Sequence, residues 1–348
     1  MDSKVEWIEW KVTAIRPETA DCKTYVLKPV DGLPVPYQAG QFLTLLLQHE
    51  GHELRRSYSI SSTPEVDTSF SLTIKRVVNG EVSRWLLQNL QVGDTLRSLP
   101  PAGRFTLDSQ ADTDLFLVAA GSGITPIYSL IKAALYQQPQ RRIVLFYSNT
   151  SRSSTIFKDE LDALTQQFPE RLTIEYLYSN PPADERARRL NNTLFEKLLA
   201  RHLDPTRNQP AFYLCGPEDF MRLVRIVLLF LGFPAESIRK ENFVIPPQTP
   251  AIPEGFGLAS QVEIEYRNQR YTLEVPAGTY LLTAALKSGI SLPYSCRGGR
   301  CSTCVAQCLE GRVKMTINDV LTERELAQGE ILTCTALAET SRILIKVG

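Results

Sequence analysis

The sequence has no excess of charge of either sign: 38 Lys and Arg stand against 38 Asp and Glu in 348 residues. Attachment to nucleic acid or to an anionic membrane through bulk charge is therefore not expected. Nor is there a long apolar run. The longest, around residues 226–233, is far short of the roughly 20 residues that cross a bilayer. The opening Met1-Asp2-Ser3-Lys4-Val5-Glu6-Trp7 lacks the basic-then-apolar profile of a secretory signal, so a cytoplasmic protein is expected. Seven cysteines in so long a chain do not suggest the disulfide framework of a small secreted domain. A structural zinc site would use paired C-x2-C knuckles, and only Cys301 and Cys304 form one.

What is present is a second kind of cysteine pattern. Cys296-Arg297-Gly298-Gly299-Arg300-Cys301-Ser302-Thr303-Cys304, with the distant Cys334, has the C-x4-C-x2-C…C spacing of a plant-type [2Fe-2S] cluster. Four thiolates must converge on two irons from one short loop and one later strand. Gly298 and Gly299 are expected to supply backbone freedom, and Ser295, Ser302 and Thr303 add little bulk. Cys22 and Cys308 read as buried, inert thiols. Residues 255–348 carry ten Lys/Arg and nine Asp/Glu. Arg297 and Arg300 beside the cluster are expected to favour its reduced, more negative state.

Upstream, residues 5–13, 24–27, 41–47, 56–60 and 69–77 read as short strands, separated by Asp31-Gly32, Ala39-Gly40, Asn79-Gly80 and Gly93-Asp94. With a helix over 82–90, they predict a small antiparallel β-barrel. From residue 112 the pattern alternates: strands at 115–120, 141–147, 172–178 and 211–215, and helices at 126–136, 156–168, 192–200 and 218–231. This predicts a doubly wound parallel α/β sheet. After its first strand comes Gly121-Ser122-Gly123-Ile124-Thr125-Pro126, with Thr125 a candidate N-cap and Pro126 in the first helical turn. Cys215-Gly216-Pro217 closes a later strand, at the sheet end where ligands bind. The proline-rich stretch 246–253 reads as a semi-rigid spacer. Beyond it, a hairpin (261–266 and 270–275), a helix (280–288) and strands at 305–309, 331–335 and 343–347 are expected. The domains are thus 1–109, 110–245 and 259–348, with a linker at 246–258.

Arg56-Ser57-Tyr58-Ser59, preceded by Ala39-Gly40-Gln41-Phe42 and followed by Gly80-Glu81-Val82-Ser83, resembles the R-x-Y-S flavin motif and glycine-x-x-serine phosphate turn of the ferredoxin-NADP reductase family. Gly121 to Pro126 matches that family's G-x-G-x-x-P form, and Cys215-Gly216-Pro217 its C-G-P. The resemblance implies FAD, with Arg56 on a phosphate, Tyr58 on one isoalloxazine face and Ser59 near N5. Ser57, Ile74, Gly80, Val82 and Ser83 would complete the flavin site. Gly121, Gly123, Thr125, Pro126, Gly216 and Pro217 would receive NADH or NADPH, and Cys215 would lie beside the point of hydride transfer. Phe243, in Glu241-Asn242-Phe243, would cover the flavin. Read one by one, Arg56 and Tyr58 are ordinary strand residues, Cys215 a small core residue and Phe243 an apolar strand end. The C-terminal part resembles a ferredoxin, implying a β-grasp.

The order flavin, nucleotide, ferredoxin resembles the reductase components of multicomponent oxygenases. Glu53-Leu54-Arg55-Arg56-Ser57-Tyr58-Ser59, the glycine loop and Leu292-Pro293-Tyr294-Ser295-Cys296 through Cys304 carry a likeness to the reductase subunits of phenylacetyl-CoA epoxidases. Steroid and xenobiotic hydroxylases use the same layout. The implied activity is hydride transfer from NAD(P)H to FAD, then single-electron transfer through the cluster to an oxygenase. A hybrid-cluster or nitrosative-stress protein is the alternative acceptor, and a non-enzymatic zinc-binding module the alternative class. NADPH-using members place serine and arginine after the third nucleotide-domain strand. This chain has Ser179-Asn180 there, with Arg152, Arg186, Arg188 and Arg189 at hand, and NADH is favoured.

Overall fold

The computed structural model describes residues 7–347 apart from 50–51, 79, 109–112, 182–185, 205, 208, 244–251 and 253–255. Nearly all of the expected spacer, 246–253, lies outside the described residues. No helix among those described is long and apolar enough to cross a membrane. The chain divides into two compact units. Of the described residues, one unit takes those within 8–47 and 57–243, and the other takes Trp7 and those within 48–56 and 252–347.

The larger unit opens with a sheet whose hairpin residues 48–56 fall in the smaller unit: β1 (Ile8–Thr19), β2 (Cys22–Pro29), β3 (Phe42–His49), β4 (His52–Ser59), β5 (Phe70–Lys75), α1 (Glu81–Asn89) and β6 (Thr95–Ser98). The sheet order is β4-β3-β6-β1-β2-β5. Ile60, just past β4, bridges Leu72 of β5, so the two edges meet and the sheet closes as the expected barrel. Its centre is Trp10, fully buried, donating from Nε1 to Ser98 Oγ at 2.8 Å and packed 4.4 Å from Phe70. β1 runs past the expected residue 13 through Pro17, because the register shifts at Val12/Ala14 and Pro17/Thr19 accommodate a residue without an N–H. β6 went unread because it has four residues, only one of them strongly apolar.

The parallel sheet follows: β7 (Leu115–Ala120), α2 (Ile124–Gln137), β8 (Ile143–Asn149), α3 (Lys158–Gln167), β9 (Leu172–Tyr178), α4 (Asn192–His202), β10 (Ala211–Cys215), α5 (Glu218–Phe230) and β11 (Ile238–Glu241). The order β11-β10-β7-β8-β9 puts the direction change between β7 and β10, where a doubly wound sheet opens its ligand crevice. β11 escapes an apolar-run search because three of its four residues are charged. Thr125 is not the N-cap. A 3-10 turn over Gly121–Gly123 runs straight into α2, Gly123 takes the cap position, and Thr125 Oγ1 donates to Ser122 O at 2.9 Å.

Helix α2 also grips the barrel. Ser129 Oγ donates to Ser62 O at 2.6 Å, and Thr63 Oγ1 donates to Ser129 O at 3.0 Å. Lys132, buried, donates to Ser61 O at 3.2 Å and pairs with Asp67.

The smaller unit contains β12 (Ser260–Tyr266), β13 (Gln269–Val275), α6 (Leu281–Lys287), β14 (Val305–Glu310), β15 (Val313–Met315), α7 (Glu323–Ala327), β16 (Glu330–Leu332), β17 (Ala336–Ala338) and β18 (Arg342–Val347). The mixed sheet β13-β12-β18-β14-β16, with β12 and β18 parallel, is a β-grasp. Leu281, Leu282, Ala284 and Ala285 of α6 fill its core. Residues 331–335 are not one strand: β16 stops at Leu332, residues 333–335 turn, and β17 begins at Ala336. Thr333 and Thr335 read as strand formers, but Thr333 N bonds Cys304 O at 3.1 Å and Thr335 N turns back to Leu332 O at 3.1 Å.

Lys132→Ala takes the cation from Asp67, which keeps only its bond from Thr63 N, and the donor from the Ser61 carbonyl, so a loss of about 2 kcal/mol is expected as a fall in the denaturant midpoint. Lys132→Met, which keeps the stem, should lose less. An unchanged midpoint in both would show that the pair does not hold this seam.

Candidate redox centre

In the larger unit, three chain segments meet at the carboxyl end of the parallel sheet. The first is the glycine loop. A Cβ on Gly123 would stand 2.0 Å from Cys215 O and 2.8 Å from Gly216 N, so only glycine lets the loop lie against the end of β10. The second is Cys215 itself, fully buried and paired in register with Glu241 of β11. The third is Ser59, whose Oγ donates to Glu241 Oε2 at 3.2 Å. Ser59, Cys215, Gly123 and Gly216 are thus brought together.

Glu241 is the group that the motif reading passed over, because its segment was read only for the aromatic Phe243. Burial of its carboxyl pushes the pKa up to about 8, against a smaller lowering by the Ser59 hydrogen bond. Burial, then the nearby Glu241, also raises the Cys215 thiol well above its ordinary value. A protonated acid therefore sits one hydrogen bond from Ser59 at neutral pH. Lys75 is a second addition. Its Nζ lies 3.9 Å from where a Gly121 Cβ would be and 3.8 Å from Asp21 Oδ2, which sets a cation beside the glycine loop.

The flavin residues divide by what they present. Ser57 Oγ lies 3.0 Å from Thr44 Oγ1, and Tyr58 and Arg56 are half-buried. Arg56 Nη1 donates to Arg55 O at 2.8 Å. Ile74 and Val82 are buried and offer their main chain rather than their side chains. Gly80 is the N-cap of α1 with no side-chain cap bond, which sets a helix N-terminus directly after the glycine turn. Ser83 Oγ accepts from Val77 N at 3.0 Å and folds the turn rather than facing outward. An uncapped helix start after a glycine turn fits a pyrophosphate. Thr125 and Pro126 are buried in α2, Pro217 caps α5, and Phe243 is 41% exposed. Beyond β9, Arg188 Nη1 lies 3.5 Å from Glu175 Oε2, while Arg152 is exposed.

In the smaller unit, the thiols of Cys296, Cys301, Cys304 and Cys334 cluster. Hydrogen bonds from the Cys301 and Cys334 thiols hold the Cys296 sulfur far below its ordinary pKa, and one from Cys334 lowers Cys304. Main-chain N–H groups of Gly298 and Arg300 point at Cys296 Sγ, and that of Cys296 at Cys301 Sγ, each at 3.4 Å. Four thiols with main-chain amides aimed at sulfur fit a two-iron group. Gly299 (φ +73°) is needed, since a Cβ there would stand 2.5 Å from Ile317 O. Gly298 is not left-handed; Arg297 (φ 52°) and Ser302 (φ 53°) are. The remote Cys334 is held by Thr333, which bonds Cys304 O through both N (3.1 Å) and Oγ1 (3.0 Å). Arg300 pairs with Asp319 at 3.1 Å, which offsets the charge expected to act on the cluster. Cys22 is buried as expected, whereas Cys308 is partly exposed.

Comparison with known proteins agrees with this division. Residues 10–107 match an oxidoreductase FAD-binding domain, 117–225 an oxidoreductase NAD-binding domain and 264–339 a 2Fe-2S iron-sulfur cluster binding domain. The ferredoxin reductase component of 3-ketosteroid-9-alpha-monooxygenase from Rhodococcus rhodochrous is 36% identical over 96% of this chain and 95% of its own. One of the subunits of 1,2-phenylacetyl-CoA epoxidase from Escherichia coli is 31% identical over 96% of each chain. Phthalate dioxygenase reductase shares the fold (TM-score 0.60, 22% identity, 98% of each chain). So does part of an intact type IV self-sufficient cytochrome P450 monooxygenase (TM-score 0.74, 24% identity), of which this chain spans 98% of its own length and 41% of that protein's.

Gly123→Ala should abolish flavin reduction by NAD(P)H while leaving the flavin and iron-sulfur absorption intact; retained reduction would show that the loop does not need this contact. Glu241 is protonated more readily in the folded than in the unfolded chain. Its contribution to stability is therefore full below about pH 4.5 and lost as pH rises through about 8. Glu241→Gln should flatten the melting temperature across that interval, and identical pH profiles would remove Glu241 as the cause.

Proposed function

Because the chain belongs to the family of FAD-, NAD- and [2Fe-2S]-containing reductase components of oxygenases, we propose that it feeds the oxygenase component of a hydroxylating or epoxidising system. The observation that carries this is the occurrence in one chain of Ser59, Cys215 and Glu241 brought together at the carboxyl end of the parallel sheet and a four-cysteine loop with amides aimed at sulfur. When bound, FAD takes a hydride from NAD(P)H and the cluster carries its electrons onward one at a time.

The chain's own residues set the conditions for that exchange. Gly121 and Gly123 admit the dinucleotide's backbone to the start of α2, and Lys75 supplies a positive charge there. Arg56 would pair with a flavin phosphate, and Tyr58 would supply an aromatic face for the flavin ring. Glu241 holds a proton one hydrogen bond from Ser59 Oγ, and Cys215 keeps that corner dry. Phe243, at the end of the same segment, covers the other side. Engagement of Arg188 by Glu175, which also binds Arg201 and His202, removes one cation from those that would select a 2'-phosphate, and so favours NADH. The domain limits 1–109, 110–245 and 259–348 remain our division of these tasks.

Purified protein should be red-brown and bleach with NADH faster than with NADPH; a colourless, zinc-containing protein would refute the reading. Cys334→Ser should lose the cluster absorption and reduction of the oxygenase, yet keep bound FAD and NADH-dependent ferricyanide reduction. A normal cluster spectrum in that variant would remove Cys334 from the ligand set. Turnover with a hybrid-cluster protein but with no oxygenase would transfer the activity to the other acceptor class.

A further inference from the structure

The approach to the cysteine loop is held by a residue from far away in the sequence. Residues 48–56, the end of the β3–β4 hairpin, belong to the same compact unit as the ferredoxin portion. Within that unit the Arg55 guanidinium lies 3.9 Å from the centre of the Tyr294 ring, and Nη1 donates to Tyr294 O at 3.3 Å. Arg55 Nε is fixed from behind by Glu53 Oε1 at 2.8 Å, and the arginine side chain is only 11% exposed. Tyr294 takes a second guanidinium, that of Arg297, at 4.4 Å. Only Ser295 separates this ring from Cys296, whose own amide is aimed at Cys301 Sγ and whose sulfur receives the Gly298 and Arg300 amides.

We propose that Arg55 is a positioning residue for the iron-sulfur cluster: by clamping both the ring and the carbonyl of Tyr294 it sets the course of the chain into the cysteine loop, and through it the amide-to-sulfur geometry and the cluster's potential. This rests on the [2Fe-2S] reading given above. Three physical effects act in one direction. The stack and the carbonyl bond fix the main chain two residues before a ligand, and groups of this kind govern a metal site as its ligands do. Arg55 adds a positive charge close to the loop. It also neutralises Glu53, so its removal both deletes a cation and frees an anion. Each change makes an added electron on the cluster less favourable.

The test uses the full-length protein with FAD and cluster in place. Arg55→Ala should move the cluster midpoint to a more negative value and alter the EPR spectrum of the reduced cluster. Cluster-dependent cytochrome c reduction by NADH should fall about tenfold, with flavin-dependent ferricyanide reduction unchanged. Arg55→Lys, which keeps the charge but not the planar clamp, should fall between. Tyr294→Leu, which removes the ring but leaves the Tyr294 carbonyl and the Arg55 charge, should shift the midpoint in the same direction by less than Arg55→Ala, and the double variant should shift it by less than the sum, because the stack is common to both. Additive shifts, an Arg55→Ala potential and EPR spectrum identical to those of the parent protein, or equal losses in both activities would overturn the proposal. A parent protein without iron or a [2Fe-2S] spectrum would overturn the cluster reading itself, and this proposal with it.

Discussion

The larger unit depends on a buried polar seam along α2. Ser129 and Lys132 reach from that helix to main-chain carbonyls at Ser61 and Ser62, with Asp67 countering the lysine charge. Those carbonyls lie two and three residues past Ser59, and α2 itself begins at the glycine loop. The same helix therefore carries the dinucleotide turn at one end and grips the flavin-motif strand along its side. A buried ammonium satisfied by a carboxylate and a carbonyl has few alternative arrangements, whereas an apolar contact can slide.

Within each unit the centre is built by close approach of main chain. Gly123 lies against the carbonyl of Cys215, Gly40 against that of Phe105, and Gly299 against that of Ile317. In each case a side chain on the glycine would overlap a carbonyl from a distant segment, so each works as a lock as well as a hinge. The cysteine loop is held in the same manner, by Ile317 and Asp319 on one side and by Thr333 on the other.

The charges around the two centres are arranged differently. In the crevice the nearest acid, Glu241, is kept neutral by burial and bonded to a hydroxyl. Beside the cysteines the arginines are engaged, Arg300 by Asp319 and Arg297 by the face of Tyr294. The ferredoxin portion, near electrical balance, thus presents its cluster in a field set by a few placed guanidiniums rather than by bulk charge.

By itself the sequence determined the cysteine spacing, the β-barrel and parallel-sheet periodicities, and the glycine loop with its strand-end Cys215, because each is a local pattern imposed by ligand geometry or backbone repeat. It could not show the short edge strands β6 and β11, whose polar residues lack an apolar signature, or the break at Cys334, where hydrogen bonds to Cys304 override the β-propensity of the flanking threonines. It could not show that Thr125 turns back to Ser122 instead of capping the helix. The roles of Glu241, Lys75 and Arg55 were likewise invisible. Each acts on a partner far along the chain, at Ser59, Gly121 and Tyr294. Only the folded chain supplies the burial that keeps a carboxyl protonated, or lays a guanidinium over a ring 239 residues away.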